Sequence, residues 1–107
     1  MWWADLADPR GSEPGFRRPL LIVQADSFNR SRIETAIAVV LTSNLRLLDA
    51  PGNVLVARQT SGLPKDSVAN VSQILALDRT LLTRRVGRLA RRQIDLILAG
   101  IDIVLGR

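Results

Sequence analysis

The sequence predicts a mainly β chain closed by one C-terminal α-helix. Three observations carry this. About six short β-rich stretches are separated by Gly, Pro, Asn and Asp turn signals. Residues 91–105 place Ile94, Ile97, Leu98, Ile101, Val104 and Leu105 at three- and four-residue spacing, a helical stripe that stops at Gly106. The connections are short, so neighbouring strands should run antiparallel. A small closed or half-closed barrel with a helix packed on it meets all three.

The elements follow in order. Trp2 to Leu6 reads as a strand. Residues 8–15 hold two Pro and two Gly, which makes a loop. Pro19 is tolerated near a strand start but not in its middle, so the next strand runs from Leu20 to Asp26. Ser27 to Glu34 is polar and loop-like. Thr35 to Leu41 is a continuous apolar run, suited to a strand buried on both faces. Asn44 to Gly52 is a longer connection ending in the turn signal Pro51-Gly52-Asn53. Val54 to Ala57 is a short strand, and Thr60 to Asp66 a loop. Ser67 to Leu77 alternates, with Val68, Asn70, Ser72, Ile74 and Ala76 on one side and Ala69, Val71, Gln73, Leu75 and Leu77 on the other. This predicts one long strand with a bend. Asp78 should N-cap a turn over 79–82, and Val86 to Leu89 should form a last strand. The helix lacks a polar N-cap, because position 90 is Ala.

Composition bounds the chemistry. At 107 residues, 47% hydrophobic and 23% charged, the chain should fold as a single domain, 1–107, with one modest core. Fifteen basic residues face ten acidic ones, and Lys65 is the one lysine among them. An Arg-rich surface favours anionic partners. There is no His and no Cys. That removes disulfides, the usual zinc ligands, and catalysis by Ser-His-Asp or Cys-His arrangements. No cofactor or metal is expected. The first residues lack a signal-peptide pattern, and no apolar run approaches the ~20 residues of a membrane span, so a cytoplasmic protein with no membrane contact is expected.

Two strand-end constellations suit phosphate chemistry. Arg17-Arg18-Pro19 runs directly into an apolar strand. A guanidinium grips phosphate with two parallel N–H bonds and keeps its charge. Thr42-Ser43-Asn44 closes the Thr35 strand with hydroxyls and an amide, groups that also satisfy ordinary turns. Asp95 and Asp102 lie about 10 Å apart along the helix axis, too far for an acid/base pair, and are assigned to ion pairs. Of Trp2 and Trp3, one should enter the core and the other is left for a base or a partner chain.

The order of these pieces resembles one family. Trp2-Trp3-Ala4-Asp5-Leu6, Gly11-Ser12-Glu13-Pro14-Gly15 and Arg17-Arg18-Pro19-Leu20-Leu21-Ile22-Val23-Gln24 closely resemble the opening of the MazF/PemK toxin endoribonucleases. Thr42-Ser43-Asn44, the strand from Lys65 to Ile74, Gly87-Arg88-Leu89 and the closing helix match in the same order. The resemblance implies an SH3-like barrel, a homodimer, and metal-independent cleavage of single-stranded RNA to 2′,3′-cyclic phosphate and 5′-OH ends. It also implies a cognate antitoxin that occupies the RNA groove. It places the catalytic roles on Arg18 and Thr42. Substrate contacts would come from Ser12, Glu13, Arg17, Ser43, Asn44, Asp66, Ser72 and Gln73. The alternatives on the same fold are a CcdB-like gyrase poison and a non-catalytic RNA-binding relative. The chain ends Ile103-Val104-Leu105-Gly106-Arg107, without the aromatic tail of the gyrase poisons.

Overall fold

The computed structural model describes residues 1–6 and 16–107. Six strands form one sheet: β1 (Trp2–Leu6), β2 (Phe16–Ile22), β3 (Thr35–Thr42), β4 (Val54–Val56), β5 (Ser67–Asp78) and β6 (Leu82–Arg85). Their spatial order is β4-β5-β3-β2-β1-β6, and every neighbouring pair is antiparallel. β4 and β6 are the edges and do not pair with each other, so the sheet is half-closed. Among the described residues three α-helices complete the fold: α1 (Asp26–Asn29), α2 (Arg58–Ser61) and α3 (Arg91–Leu105). No helix among the described residues is long and apolar enough to cross a membrane.

β3 is the middle of the molecule, and its unbroken apolar run follows from that position. Val39 and Leu41 join Leu21, Val71 and Ile97 in a core layer beneath α3. Ala36, Ala38 and Val40 face the other way and meet Ala4, Leu20 and Leu77 in a second layer. A strand with water on one face would alternate; this one has no wet face over its second half.

β5 is the long bent strand the sequence predicts, but its alternation breaks. Val39 lies opposite Ile74 while Val40 lies opposite Asn70, so Val71, Ser72 and Gln73 are extra residues on β5. The bulge re-phases the strand: Ile74 packs with Ala69 and Val71 rather than opposite them. Asn53 compensates the interrupted ladder. Its Oδ1 accepts the Val71 N–H at 3.0 Å, and its Nδ2 donates to Leu47 O at 2.8 Å and Asn70 Oδ1 at 3.3 Å.

Three further expectations are corrected. Residues 86–89 are not a strand; the pairing with β1 is made by Leu82–Arg85, and Gly87 at φ +148° turns the backbone out of strand geometry. Val104 and Leu105 are exposed rather than on the packed stripe, because α3 meets the sheet through Ile94, Ile97, Gly100 and Ile101 and its last turn runs past the core. The second strand runs Phe16–Ile22 rather than Leu20–Asp26: pairing with β1 extends it back to Phe16, Pro19 is accommodated inside it where the β2–β3 ladder has not yet begun, and α1 takes the chain from Asp26. The end of α3 and the Asp78 turn are as predicted. Gly106 at φ +73° closes α3 with a Schellman pattern, Arg107 N–H donating to Asp102 O at 2.8 Å and Gly106 N–H to Ile103 O at 3.1 Å. Ala90 gives α3 no side-chain cap. Asp78 caps the turn Arg79–Leu81, accepting from Thr80 N–H at 2.9 Å and the Thr80 hydroxyl at 2.8 Å; these bonds hold its carboxyl below the usual aspartate range.

α3 lies on the sheet at the distance two glycines permit. Gly52 sits at φ +84° in the Ala50–Asn53 turn, where Asn53 N–H donates to Ala50 O at 3.2 Å. A Cβ on Gly52 would lie 2.8 Å from Gly100 O, and one on Gly100 would strike Gly52 O. Gly100→Ala should therefore destabilise by about 1–3 kcal/mol in urea unfolding, although alanine is the better helix former by ~1 kcal/mol. Asn53→Ala should cost about 1–3 kcal/mol in the same assay, because the Val71 N–H loses its partner. A wild-type midpoint for either variant would contradict the packing described.

Candidate active site at the sheet rim

β2 begins, β3 ends and β5 begins at one rim of the sheet. Pro19 shapes it. Pro19 has no N–H for a ladder bond, and the β2–β3 pairing begins one residue later, at Leu20 opposite Val40. Arg18 and Pro19 remain paired to β1 alone, opposite Ala4 and Trp3. Strand alternation puts Arg18 on the face of Leu20 and Thr42 on the face of Val40, which is the same face. Carried two residues onward, the β2–β3 register sets Arg18 level with Thr42. The two residues predicted as catalytic thus share one face at one strand end.

Thr42 is half-buried and oriented. Its Oγ1 accepts the Asn44 N–H at 3.2 Å. With that lone pair engaged, the hydroxyl proton is left to donate, and it reaches no acceptor among the described residues. Arg18 is also half-buried, which lowers the local dielectric around its charge.

Arg17 and Ser43 turn to the opposite face. The Arg17 guanidinium lies 4.7 Å from the centroid of the Trp3 ring, a cation–π contact that fixes an otherwise exposed side chain. Arg17, Arg18, Ser43, Lys65 and Trp3 line a cleft of about 220 Å³. Asp66 and Ser43 share a shallower neighbouring concavity with Arg58 and Lys65. Asp66 Oδ1 accepts the Arg58 N–H at 2.8 Å, so one of its oxygens holds the start of α2.

The remaining predicted residues separate from this centre. Asn44 Oδ1 caps the 3-10 turn Leu45–Asp49 by accepting the Arg46 N–H at 3.2 Å, the ordinary turn role its residue type favours. Ser72 and Gln73 sit in the β5 bulge and do not line the cleft; Ser72 Oγ donates to Asn70 Oδ1 at 2.9 Å. Ser12 and Glu13, with the rest of the Gly11–Gly15 motif, lie outside the described residues. Among the wall residues not assigned to the site from sequence are Trp3 and Lys65, beside the apolar Leu41 and Leu63. The signal for Lys65 was its solitary occurrence between Pro64 and Asp66 in a chain whose other bases are arginines. Farther along the same edge, the Met1 amine donates to Gly87 O at 2.6 Å; burial first, then the Arg85 and Arg88 charges, lower its pKa.

Known proteins share this layout. The family described as PemK-like, MazF-like toxin of type II toxin–antitoxin systems matches residues 1–105. A curated relative, Endoribonuclease MazF6 of Mycobacterium tuberculosis, is 52% identical over 87 residues, 81% of this chain and 76% of its own length. MazF (Form-I) from Deinococcus radiodurans has the same fold, with a TM-score of 0.80 at 20% identity over 99% of this chain and 92% of its own. An endoribonuclease solved in complex with its cognate antitoxin, from a mycobacterial species, gives a TM-score of 0.78 at 24% identity over 98% and 89% of the two chains. The chain belongs to the PemK-like, MazF-like toxin family of type II toxin–antitoxin systems.

Proposed function

We propose that this toxin is a metal-independent endoribonuclease that cuts single-stranded RNA by attack of a ribose 2′-OH on the adjacent phosphorus. The supporting observation is the placement of Arg18 and Thr42 on one face at the end of the β2–β3 ladder. In the reaction the 2′-oxygen–phosphorus bond forms and the bond to the 5′-oxygen breaks, leaving a 2′,3′-cyclic phosphate and a 5′-OH. Extra negative charge develops on the non-bridging oxygens. Arg18 meets it with a permanently charged, planar fork, and the Thr42 hydroxyl adds one donor already oriented by Asn44. Arg18 acts electrostatically in this scheme, since a guanidinium donates five N–H bonds and offers no lone pair to take a proton. The proton leaving the 2′-oxygen is assigned to a carboxylate, Glu13 or the free oxygen of Asp66, and the departing 5′-oxygen takes its proton from water.

Substrate contacts are assigned to Arg17 and Ser43 in the cleft, to Asn44, Ser72 and Gln73 as outlying contacts, and to Ser12. The partner is a cognate antitoxin, a segment of which is assigned to the same cleft; a relative has been solved in complex with its own cognate antitoxin. We assign the whole chain to one toxin domain and the active species to a homodimer. The exposed Leu96, Ile103, Val104 and Leu105 of α3 offer apolar surface for such an assembly.

The test is a long end-labelled single-stranded RNA incubated with the protein in excess EDTA. Discrete fragments with cyclic-phosphate ends are expected. Arg18→Ala should lower turnover by about 10²–10³-fold, the scale of losing one transition-state donor, while keeping the circular dichroism spectrum of the wild type. Arg18→Lys should restore little, because a point charge lacks the bidentate fork. A 2′-deoxy nucleotide at the cut position should abolish cleavage there. Equal cutting of all-DNA strands would eliminate the 2′-OH mechanism, and full activity in Arg18→Ala would remove the site assignment.

A further inference from the structure

We propose that a cavity on the sheet face opposite α3, apart from the rim cleft, binds a small phosphorylated ligand carrying a planar ring, of the size of a nucleoside monophosphate. The proposal goes beyond the endoribonuclease reading and does not depend on it. The cavity measures about 320 Å³. That is near the lower end of the ~300–1,000 Å³ typical of small-molecule sites, so it suits a single small ligand. It shares no lining residue with the rim cleft.

Its floor is apolar. Ile22, Ala36 and Leu82 come from the second core layer, and Trp2 stands beside them. Trp2 is half-buried and belongs to neither core layer among the described residues. Its indole is a large apolar face that the core does not use.

The walls are cationic, and three separate pieces of chain bring the charges together. Arg85 is the register partner of Trp2 across β1 and β6, and residues directly opposite share a face. Gly87 at φ +148° then turns the chain, and Arg88 returns to the same cavity. Arg79 arrives from the end of β5. Its backbone N–H donates to Glu34 O at 2.8 Å and its Nη1 to Asn29 O at 2.9 Å, so its charge is anchored at the wall. The Met1 amine lines the cavity too; burial first, then Arg85 and Arg88, lower its pKa, so the fields of those two guanidiniums overlap there. Three guanidiniums around one small cavity repel one another. A phosphate between them offsets that repulsion and takes bidentate N–H bonds.

The pairing of floor and wall selects the ligand. A bare anion would use the arginines and leave the indole idle. A neutral ring would stack on Trp2 and leave the charges uncompensated. A ring joined to a phosphate engages both.

The test is isothermal titration of the whole chain with adenosine 5′-monophosphate, and separately with inorganic phosphate and with adenosine. The monophosphate should bind with a dissociation constant on the order of 10–100 μM. Phosphate and adenosine should each bind at least about tenfold more weakly, since each makes half of the contacts. Arg88→Ala should weaken the monophosphate by about tenfold, the scale of one charge-assisted bond. Arg88→Lys should recover part of that loss. The unliganded melting curves should coincide, because Arg88 is exposed. Trp2→Leu should narrow the gap between monophosphate and phosphate. Arg18→Ala should bind the monophosphate as the wild type does. No binding up to about 1 mM overturns the proposal, as does equal affinity for phosphate alone. Loss of binding in Arg18→Ala with none in Arg88→Ala moves the ligand to the rim and also overturns it. Displacement of the monophosphate by uncleavable 2′-O-methyl RNA, with Arg88→Ala weakening both, gives the cavity to an RNA strand and overturns it as well. If the wild type cuts no RNA but binds the monophosphate in the expected pattern, the cavity stands and the cleavage reading falls.

Discussion

The burial of β3 on both faces organises the rest of the molecule. Val39 and Leu41 require a cover on one side and Ala38 and Val40 on the other, so the sheet must carry α3 on one face and curl over itself on the second. The small alanines face the curled side, where space is short, and the larger residues face the helix. Because β3 is central, its last residue reaches the rim between β2 and β5, and Thr42 is delivered there by the core rather than by a mobile loop. The close approach of Gly52 and Gly100 sets the helix layer, and Asn53 beside it holds the β5 bulge. Core packing and rim geometry are therefore one problem.

A chain without His has few routes to acid–base catalysis at neutral pH. The proposed chemistry relies instead on placed charge and placed dipoles. That strategy needs rigid supports, and the rim has them. Arg18 is held between a proline and the β1 ladder, and Thr42 between a central strand and the Asn44 N–H. Asn44 in turn is held by the cap it makes to Arg46. Side chains that only bind substrate tolerate more freedom, and the exposed Ser43 and Lys65 lie farther out on the same rim.

Much of this was legible in the sequence because it is governed by local rules. The apolar run 35–41, the stripe of α3, the Pro51-Gly52-Asn53 turn and the Asp78 cap each depend on a few neighbouring residues. What was not legible depends on long-range pairing. The strand assigned to 86–89 moved to Leu82–Arg85 because β1, some eighty residues away, selects the register and Gly87 ends it. The side of β5 on which Ile74 falls depends on a bulge held by Asn53, which no periodicity over 67–77 can reveal. At the site, Arg18 and Thr42 were identified together through family resemblance; their common face follows from the β2–β3 register. The membership of Trp3 and Lys65 in the cleft comes from folding alone.

The adjacent arginines divide the labour because a strand has a period of two. Side by side in sequence, Arg17 and Arg18 look like one basic element. In β2 they project to opposite faces of the sheet, one onto Trp3 and the other to the level of Thr42. The same alternation in β1 sends Trp3 to the α3 side and leaves Trp2 beside Arg85 on the other. The phosphate contact proposed for Arg18 thus lies on one face and the Arg17–Trp3 pair on the other. The interrupted ladder at Pro19 frees the rim from β3. On this geometry Pro19 does more than sit within β2: its missing N–H ends the β2–β3 ladder at the rim, between the two faces to which Arg17 and Arg18 project.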